Sequence, residues 1–178
     1  MSELYEWIGT SGAPFLLVAE NLLPSWRGIE GWSLETHGND DSDYIRASNV
    51  LDWIEKIRCS VGEAYVFGGD VGIISWIATE EFEGGYFVQW IAVDDETHIL
   101  PALQSEEFQK LLDGKDAEHT LIEVCEPGML RLIQAADIGD DLVDPSLSIQ
   151  LRPGTYRATS VYLATSTLSI VVRKLTLQ

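Results

Sequence analysis

Three groups of closely spaced carboxylates are the residues of this sequence best suited to chemistry. They are Asp40-Asp41-Ser42-Asp43, Asp94-Asp95-Glu96, and Asp137-Ile138-Gly139-Asp140-Asp141 with Asp144. Carboxylate oxygens bind Ca²⁺ and Mg²⁺, but no group has the alternating acids, glycine and closing glutamate of an EF-hand loop. Neighbouring carboxylates repel one another unless water, a basic partner or a cation offsets the repulsion. Each group is therefore a solvated loop, a surface that faces a partner's lysines and arginines, or a metal site.

Histidine and cysteine form no pattern of a catalytic or zinc site. His37, His98 and His119 lie far apart, and neither an H-x-x-x-H nor a C-x-x-C spacing occurs. Cys125 lies in an apolar run, which favours a buried and unreactive thiol. Gly68-Gly69 is followed by a strand pattern, whereas a phosphate loop leads into a helix. We therefore assign no catalytic residue, no metal ligand and no cofactor.

The net charge of −18, from 11 basic and 29 acidic residues, indicates the kind of partner. Residues 146–178 contain four basic residues and no acid, so the first 145 residues carry a net charge of −22. Such a field repels nucleic acid and anionic membranes, and it accelerates encounter with a basic protein. We expect a protein partner, and solubility alone is the alternative explanation of the charge.

The expected compartment is the cytoplasm. Glu3 and Glu6 stand where a signal peptide needs positive charge, and no apolar run reaches the length of about 18 residues that a membrane span requires. The sequence contains two cysteines, which in a chain of 178 residues indicates reduced thiols. These features predict a soluble protein.

The strongest helical pattern follows the first acidic group. Apolar residues recur at three- and four-residue spacing from Tyr44 to Ile57, and Ser42 or Asp41 is a suitable N-cap. The pattern predicts one helix over this stretch, with a solvated face on which Asp52 pairs with Lys56. A second, shorter helix is predicted between a Ser105 cap and Gly114.

Strand patterns dominate the remainder of the chain. Phe15 to Val18 is a short apolar strand, and glycines separate three later runs that predict an antiparallel meander. Pro127-Gly128 and Pro153-Gly154 each lie between two strand-like runs, and each predicts a hairpin because Pro-Gly suits a type II turn. The meander covers residues 64–67, 72–79 and 86–93, and the later strands cover 120–125, 129–135, 147–151, 156–163 and 168–177.

These elements predict a single α+β domain over residues 1–178. It is mainly antiparallel sheet, made of the meander and C-terminal hairpins, with about two helices packed on it. The stretch 137–145 is the one soft boundary. Trp76 and Trp90 lie inside strands and are expected in the core, whereas Trp26 and Trp32 lie in a turn-rich stretch. Trp32 is our aromatic candidate for contact with a partner.

Two short motifs connect the N-terminal region to a known family. The stretch 13–28 contains an apolar strand, a Leu-Leu-Pro segment and Trp26-Arg27-Gly28, and Tyr44 follows. Together they resemble the immunity protein 21 family of bacterial polymorphic toxin systems, which has a W-x-G and a Y-x-x-x-C motif. Ser48 stands at the cysteine position of the second motif. We interpret Trp26, Gly28, Tyr44 and Ser48 as structural.

The resemblance implies an antidote that neutralises a cognate toxin by stoichiometric occlusion, without catalysis. The toxin is expected to be basic, and neither nucleic acid nor a membrane is an expected partner. The candidate contacts are Asp40, Asp41, Asp43, Asp94, Asp95, Glu96, Asp137, Asp140, Asp141, Asp144 and Trp32. The alternatives are a small metal- or carboxylate-dependent enzyme, and a non-enzymatic adaptor or structural component of a secretion or phage system.

Overall fold

The computed structural model describes residues 5–30, 42–51, 53–59, 62–69, 72–79, 82–93 and 95–178. The α-helices are α1 (Asp43–Ser48), α2 (Ile99–Leu103) and α3 (Glu106–Leu112), and 3₁₀ helices cover Leu23–Ser25 and Glu96–His98. The strands are β1 (Ile8–Gly9), β2 (Phe15–Ala19), β3 (Glu55–Cys59), β4 (Gly62–Phe67), β5 (Ile73–Ala78), β6 (Gly84–Val93), β7 (Glu118–Val124), β8 (Met129–Gln134), β9 (Leu147–Gln150), β10 (Gly154–Ala164) and β11 (Leu168–Leu177). The architecture is therefore α+β and mainly antiparallel, as predicted. No helix among these residues is long and apolar enough to span a membrane.

The chain divides into two compact units. Unit 1 comprises Met1–Trp7, Gly72–Glu123 and Gly154–Gln178, and unit 2 comprises Ile8–Val71 and Val124–Pro153. Because each unit is assembled from separate stretches of the sequence, the chain passes from one unit to the other four times.

Unit 2 is built on a five-stranded sheet in the order β3-β4-β2-β8-β9. The central strand β2 is buried along nearly its whole length, which accounts for its uninterrupted apolar sequence. Helix α1 packs on the sheet through Ala47, and Val50 beyond its end joins the same apolar cluster as Leu16, Val18 and Trp26. This cluster supports the turn that carries the W-x-G motif.

Unit 1 holds five strands of a six-stranded sheet, in the order β5-β6-β11-β10-β7. The longest pairing joins β10 to β11, from Tyr156 opposite Leu177 to Ala164 opposite Ser169. Ile99, Leu103 and Phe108 of α2 and α3 pack against one face of this sheet, in one cluster with Val88 and Val161. The predicted helix after Ser105 is confirmed as α3, whose Phe108 N–H donates to the Ser105 hydroxyl at 3.1 Å.

The long helix predicted from residue 44 to residue 57 is wrong in its second half. Helix α1 ends at Ser48, and Ile57 lies instead in strand β3, opposite Ala64 of β4. Lys56 projects from the same strand, and its Nζ lies 2.6 Å from the carboxylate of Glu63. Leu51 is 86% exposed and so contributes to no helical face. Pairing with β4 and burial in the unit 2 core therefore override a local spacing that also fits a helix. Asp52, the predicted partner of Lys56, lies outside the described residues.

The predicted meander and the two Pro-Gly hairpins are also wrong, although the strands themselves are confirmed. β5 pairs with β6, but β4 belongs to the sheet of unit 2. Pro127-Gly128 joins β7 to β8, and Pro153-Gly154 joins β9 to β10. In each case the two strands lie in different sheets and therefore do not form a hairpin. Proline and glycine mark a change of chain direction but carry no information about which strand pairs with which.

Candidate partner-binding surface

The W-x-G motif forms a turn in unit 2 that is tied to the segment after β8. The indole of Trp26 is buried, and its Nε1 donates to the carbonyl of Ala135 at 3.0 Å. The carbonyl of Trp26 in turn accepts from the N–H of Gly139 at 2.8 Å. The side chain and the main chain of one residue therefore fasten the turn to the segment that opens the third acidic group.

The position of Gly28 has no room for a side chain. Its φ is +52°, and a Cβ would lie 2.1 Å from the carbonyl oxygen of Asp137. The next N–H, that of Ile29, donates to the carbonyl of Ala136 at 3.1 Å. The last position of W-x-G thus has a specific steric cause, which is the close approach of two main chains.

The tyrosine motif begins at the first turn of α1 and is bonded directly to the W-x-G turn. The N–H of Tyr44 donates to the carbonyl of Gly28 at 3.2 Å. Asp43 is only 3% exposed, and its Oδ2 accepts from the N–H of Arg27 at 3.0 Å while its other oxygen pairs with the guanidinium of Arg46. Ser48, the last residue of α1, is exposed. Both oxygens of the Asp43 carboxylate therefore have hydrogen-bond partners within unit 2.

The acidic loop, residues 137–144, divides into a buried base and an exposed tip. The buried Asp137 accepts from the N–H of Asp144 at 3.2 Å, and the Asp144 carboxylate accepts from the amide of Gln134. Asp140 and Asp141 are exposed. The base holds the loop in place, and the two tip carboxylates remain exposed to solvent.

The second acidic group lies in unit 1 and caps the 3₁₀ helix Glu96–His98. Asp95 is exposed and accepts from the N–H and the hydroxyl of Thr97 at 2.8 and 2.7 Å. These two bonds hold the pKa of Asp95 below its ordinary value. Glu96 is half-buried and accepts from Nε1 of Trp7 at 3.0 Å.

Several predicted residues do not contribute to a described site. Asp40, Asp41, Trp32 and Asp94 lie outside the described residues. The prediction that Cys125 is buried is wrong, since its thiol is exposed just beyond the end of β7. Among the described residues, no three His, Cys, Asp or Glu side chains come together in a group that could hold a metal ion.

Among the described residues, sequence reasoning also missed two exposed aromatic side chains, Phe82 and Tyr162. Phe82, at the turn between β5 and β6, is half exposed and has a positive φ of 58°. Its sequence signal is a phenylalanine placed within three glutamates, in Glu80-Glu81-Phe82-Glu83. That signal is visible without a structure, but exposure of the ring is not.

The fold and the motif geometry define an acidic α+β protein whose W-x-G and tyrosine motifs hold together one unit. The family model described as Immunity protein 21 matches residues 6–168. The chain belongs to the immunity protein 21 family, and the resemblance in its first 50 residues is confirmed over nearly the whole length. No curated protein and no solved structure matches it.

Proposed function

We propose that this chain is a cytoplasmic immunity protein that binds a cognate toxin and blocks it by stoichiometric occlusion, without catalysis. The observation that carries the proposal is the match to the immunity protein family over residues 6–168. The site geometry is compatible with a binding role, because the buried carboxylates of Asp43 and Asp137 are hydrogen-bonded within unit 2.

The partner in this proposal is a basic toxin domain. A net charge of −18 accelerates association with a positively charged protein and disfavours nucleic acid and anionic membranes. Asp95, Asp140 and Asp141 are exposed carboxylates that suit ion pairs with lysine or arginine. Ion pairs of this kind contribute mainly to association rate and specificity.

Co-expression with the toxin domain encoded by the adjacent gene tests the proposal directly. We expect that domain to kill cells when it is expressed alone and cells to survive when this chain is co-expressed. Empty vector is the control for expression load. A lethal neighbour that is not rescued by a well-expressed, folded chain would overturn the proposal.

The electrostatic part of the proposal predicts a strong salt dependence. Raising the ionic strength from about 0.05 M to about 0.5 M shortens the Debye length severalfold, so the association rate with the toxin domain should fall by about tenfold or more. Stopped-flow fluorescence measures that rate. A rate that does not change with salt would exclude charge steering while leaving the antidote role in place.

A further inference from the structure

The turn between β5 and β6 carries an aromatic residue in a backbone conformation that such residues avoid. Phe82 has a φ of +58°, and it is the one residue other than glycine with positive φ in the part of the chain that the structure describes. Turns that need positive φ normally use Gly, Asn or Asp, because a Cβ is strained there. A phenylalanine at this position lowers the stability of the fold, and such strained residues cluster at functional sites.

The strained residue is held in place by the sheet of unit 1. The carbonyl of Phe82 accepts from Oη of Tyr156 at 3.2 Å, and the rest of the Tyr156 side chain is fully buried. The turn is closed by the N–H of Thr79, which donates to the carbonyl of Gly84 at 3.1 Å. Gly84 packs so closely on β11 that a Cβ would lie 2.2 Å from the carbonyl oxygen of Leu175.

The Phe82 side chain is nevertheless half exposed, at 50%. Burial of the ring in the fold therefore offsets little of the backbone strain at this position. Phenylalanine is among the aromatic residues enriched at protein interfaces, where a ring that enters a desolvated pocket supplies much of the binding free energy. A ring presented on an anchored turn also loses little conformational freedom when it binds.

The charge around Phe82 selects the kind of partner. Glu80, Glu81 and Glu83 adjoin it in the sequence, and Glu83 is exposed. A second copy of this chain, with its own net charge of −18, would be repelled. A basic protein with an apolar recess complements both the ring and the glutamates.

We propose that Phe82 is an anchor residue that inserts into an apolar pocket, rimmed by lysine and arginine, on the cognate toxin. This inference rests on the proposed function and adds to it the place of contact. The aromatic ring supplies the slow dissociation, and the glutamates adjacent to it in the sequence supply the charge complementarity.

The test is Phe82→Gly, measured with the toxin domain encoded by the adjacent gene. Glycine relieves the strain at positive φ, so the melting temperature should rise, by about 2–4 °C for a gain of this kind in a chain of this size. The same substitution removes the ring, so Kd should rise by about tenfold or more. Phe82→Leu keeps a large apolar side chain and should weaken binding less than Phe82→Gly.

Leu121→Ala is the matched control, because Leu121 is similarly exposed, at 55%, on β7 of the same unit. It should leave Kd within about threefold of the natural chain. If the natural chain binds and Phe82→Gly binds equally well, the inference is overturned and the proposed function stands. Weaker binding together with a lower melting temperature would also overturn it, because the ring would then act through the fold. If the natural chain itself does not bind, the proposed function fails and this inference fails with it.

Discussion

The acidic loop of unit 2 and the β5–β6 turn of unit 1 are both rich in carboxylates but differ in their physical roles. Each unit has a net charge of −9, from 14 acidic and five basic residues in unit 1 and 15 acidic and six basic residues in unit 2, so charge does not distinguish them. In unit 2, Asp43 and Asp137 are buried and accept main-chain N–H bonds. In unit 1, glutamates adjoin an exposed ring. The density of acids in a sequence therefore does not show which acids are available to a partner.

The two regions also use positive φ differently. Gly28 meets a steric requirement, because the carbonyl of Asp137 occupies the space of a side chain. Phe82 keeps its side chain at the expense of strain, and that side chain faces solvent. Packing alone thus explains the left-handed glycine, whereas burial does not explain the left-handed phenylalanine, for which we proposed an anchor role.

The largest expected effect is that of Gly28→Ala. The added methyl would overlap the carbonyl oxygen of Asp137, at a Cβ distance of 2.1 Å, and would sit at positive φ. We expect a loss of about 3–5 kcal/mol in the free energy of unfolding, measured by urea denaturation. Gly69→Ala is the matched control, since Gly69 has a φ of +90° and no atom within 4 Å of a Cβ. It should lose only the conformational term of about 1 kcal/mol. Equal losses in the two variants would contradict the steric explanation of the W-x-G glycine.

A smaller effect should separate the buried carboxylate from the exposed one. Asp43→Asn weakens the bonds to the N–H of Arg27 and to the guanidinium of Arg46, and should cost about 1–3 kcal/mol in unfolding free energy. Asp141→Asn, at the exposed tip of the acidic loop, should stay within about 0.5 kcal/mol. Urea denaturation of both variants in one buffer measures the difference. A destabilised Asp141→Asn would contradict the division of the loop into base and tip.

The smallest effect should come from Asp95, whose carboxylate is exposed and bonded to Thr97. Because its pKa lies below the ordinary aspartate value in the folded chain, its contribution is complete above that ordinary value and fades as the pH falls through the lowered one. An NMR titration of the Thr97 amide should show a midpoint below the ordinary aspartate pKa. Asp95→Asn should abolish that step and leave the melting temperature almost unchanged. A midpoint at the ordinary value would show that the cap does not favour the charged form.

The sequence predicted the positions of most strands, the Ser105-capped helix and the family, because these depend on local periodicity, caps and short motifs. It did not predict which strands pair. The spacing of Ile54 and Ile57 fits a helix as well as a strand, and only pairing with β4 decides between them. Likewise, Pro127-Gly128 and Pro153-Gly154 are turns in any fold, and nothing local tells that each one takes the chain from one sheet to the other.

The candidate site was predictable to a lesser degree for the same reason. All three acidic groups are visible in the sequence, but the burial of Asp43 and Asp137 is not. Their partners Arg27 and Asp144 lie 16 and seven residues away and follow no local pattern. The structural role of the W-x-G motif was predicted from its residues and stays a prediction. The oxygen that excludes a side chain at Gly28 comes from Asp137, more than 100 residues away.

Calorimetric titration of the purified toxin domain with this chain tests the central claim most directly. Stoichiometric occlusion predicts saturable binding with an equivalence point at about one chain per toxin domain. Charge complementarity predicts that Kd rises as salt is raised. The toxin preparation should first be shown to be folded and active. Absence of binding to such a preparation, even at low salt, would contradict the assignment of this chain as an antidote.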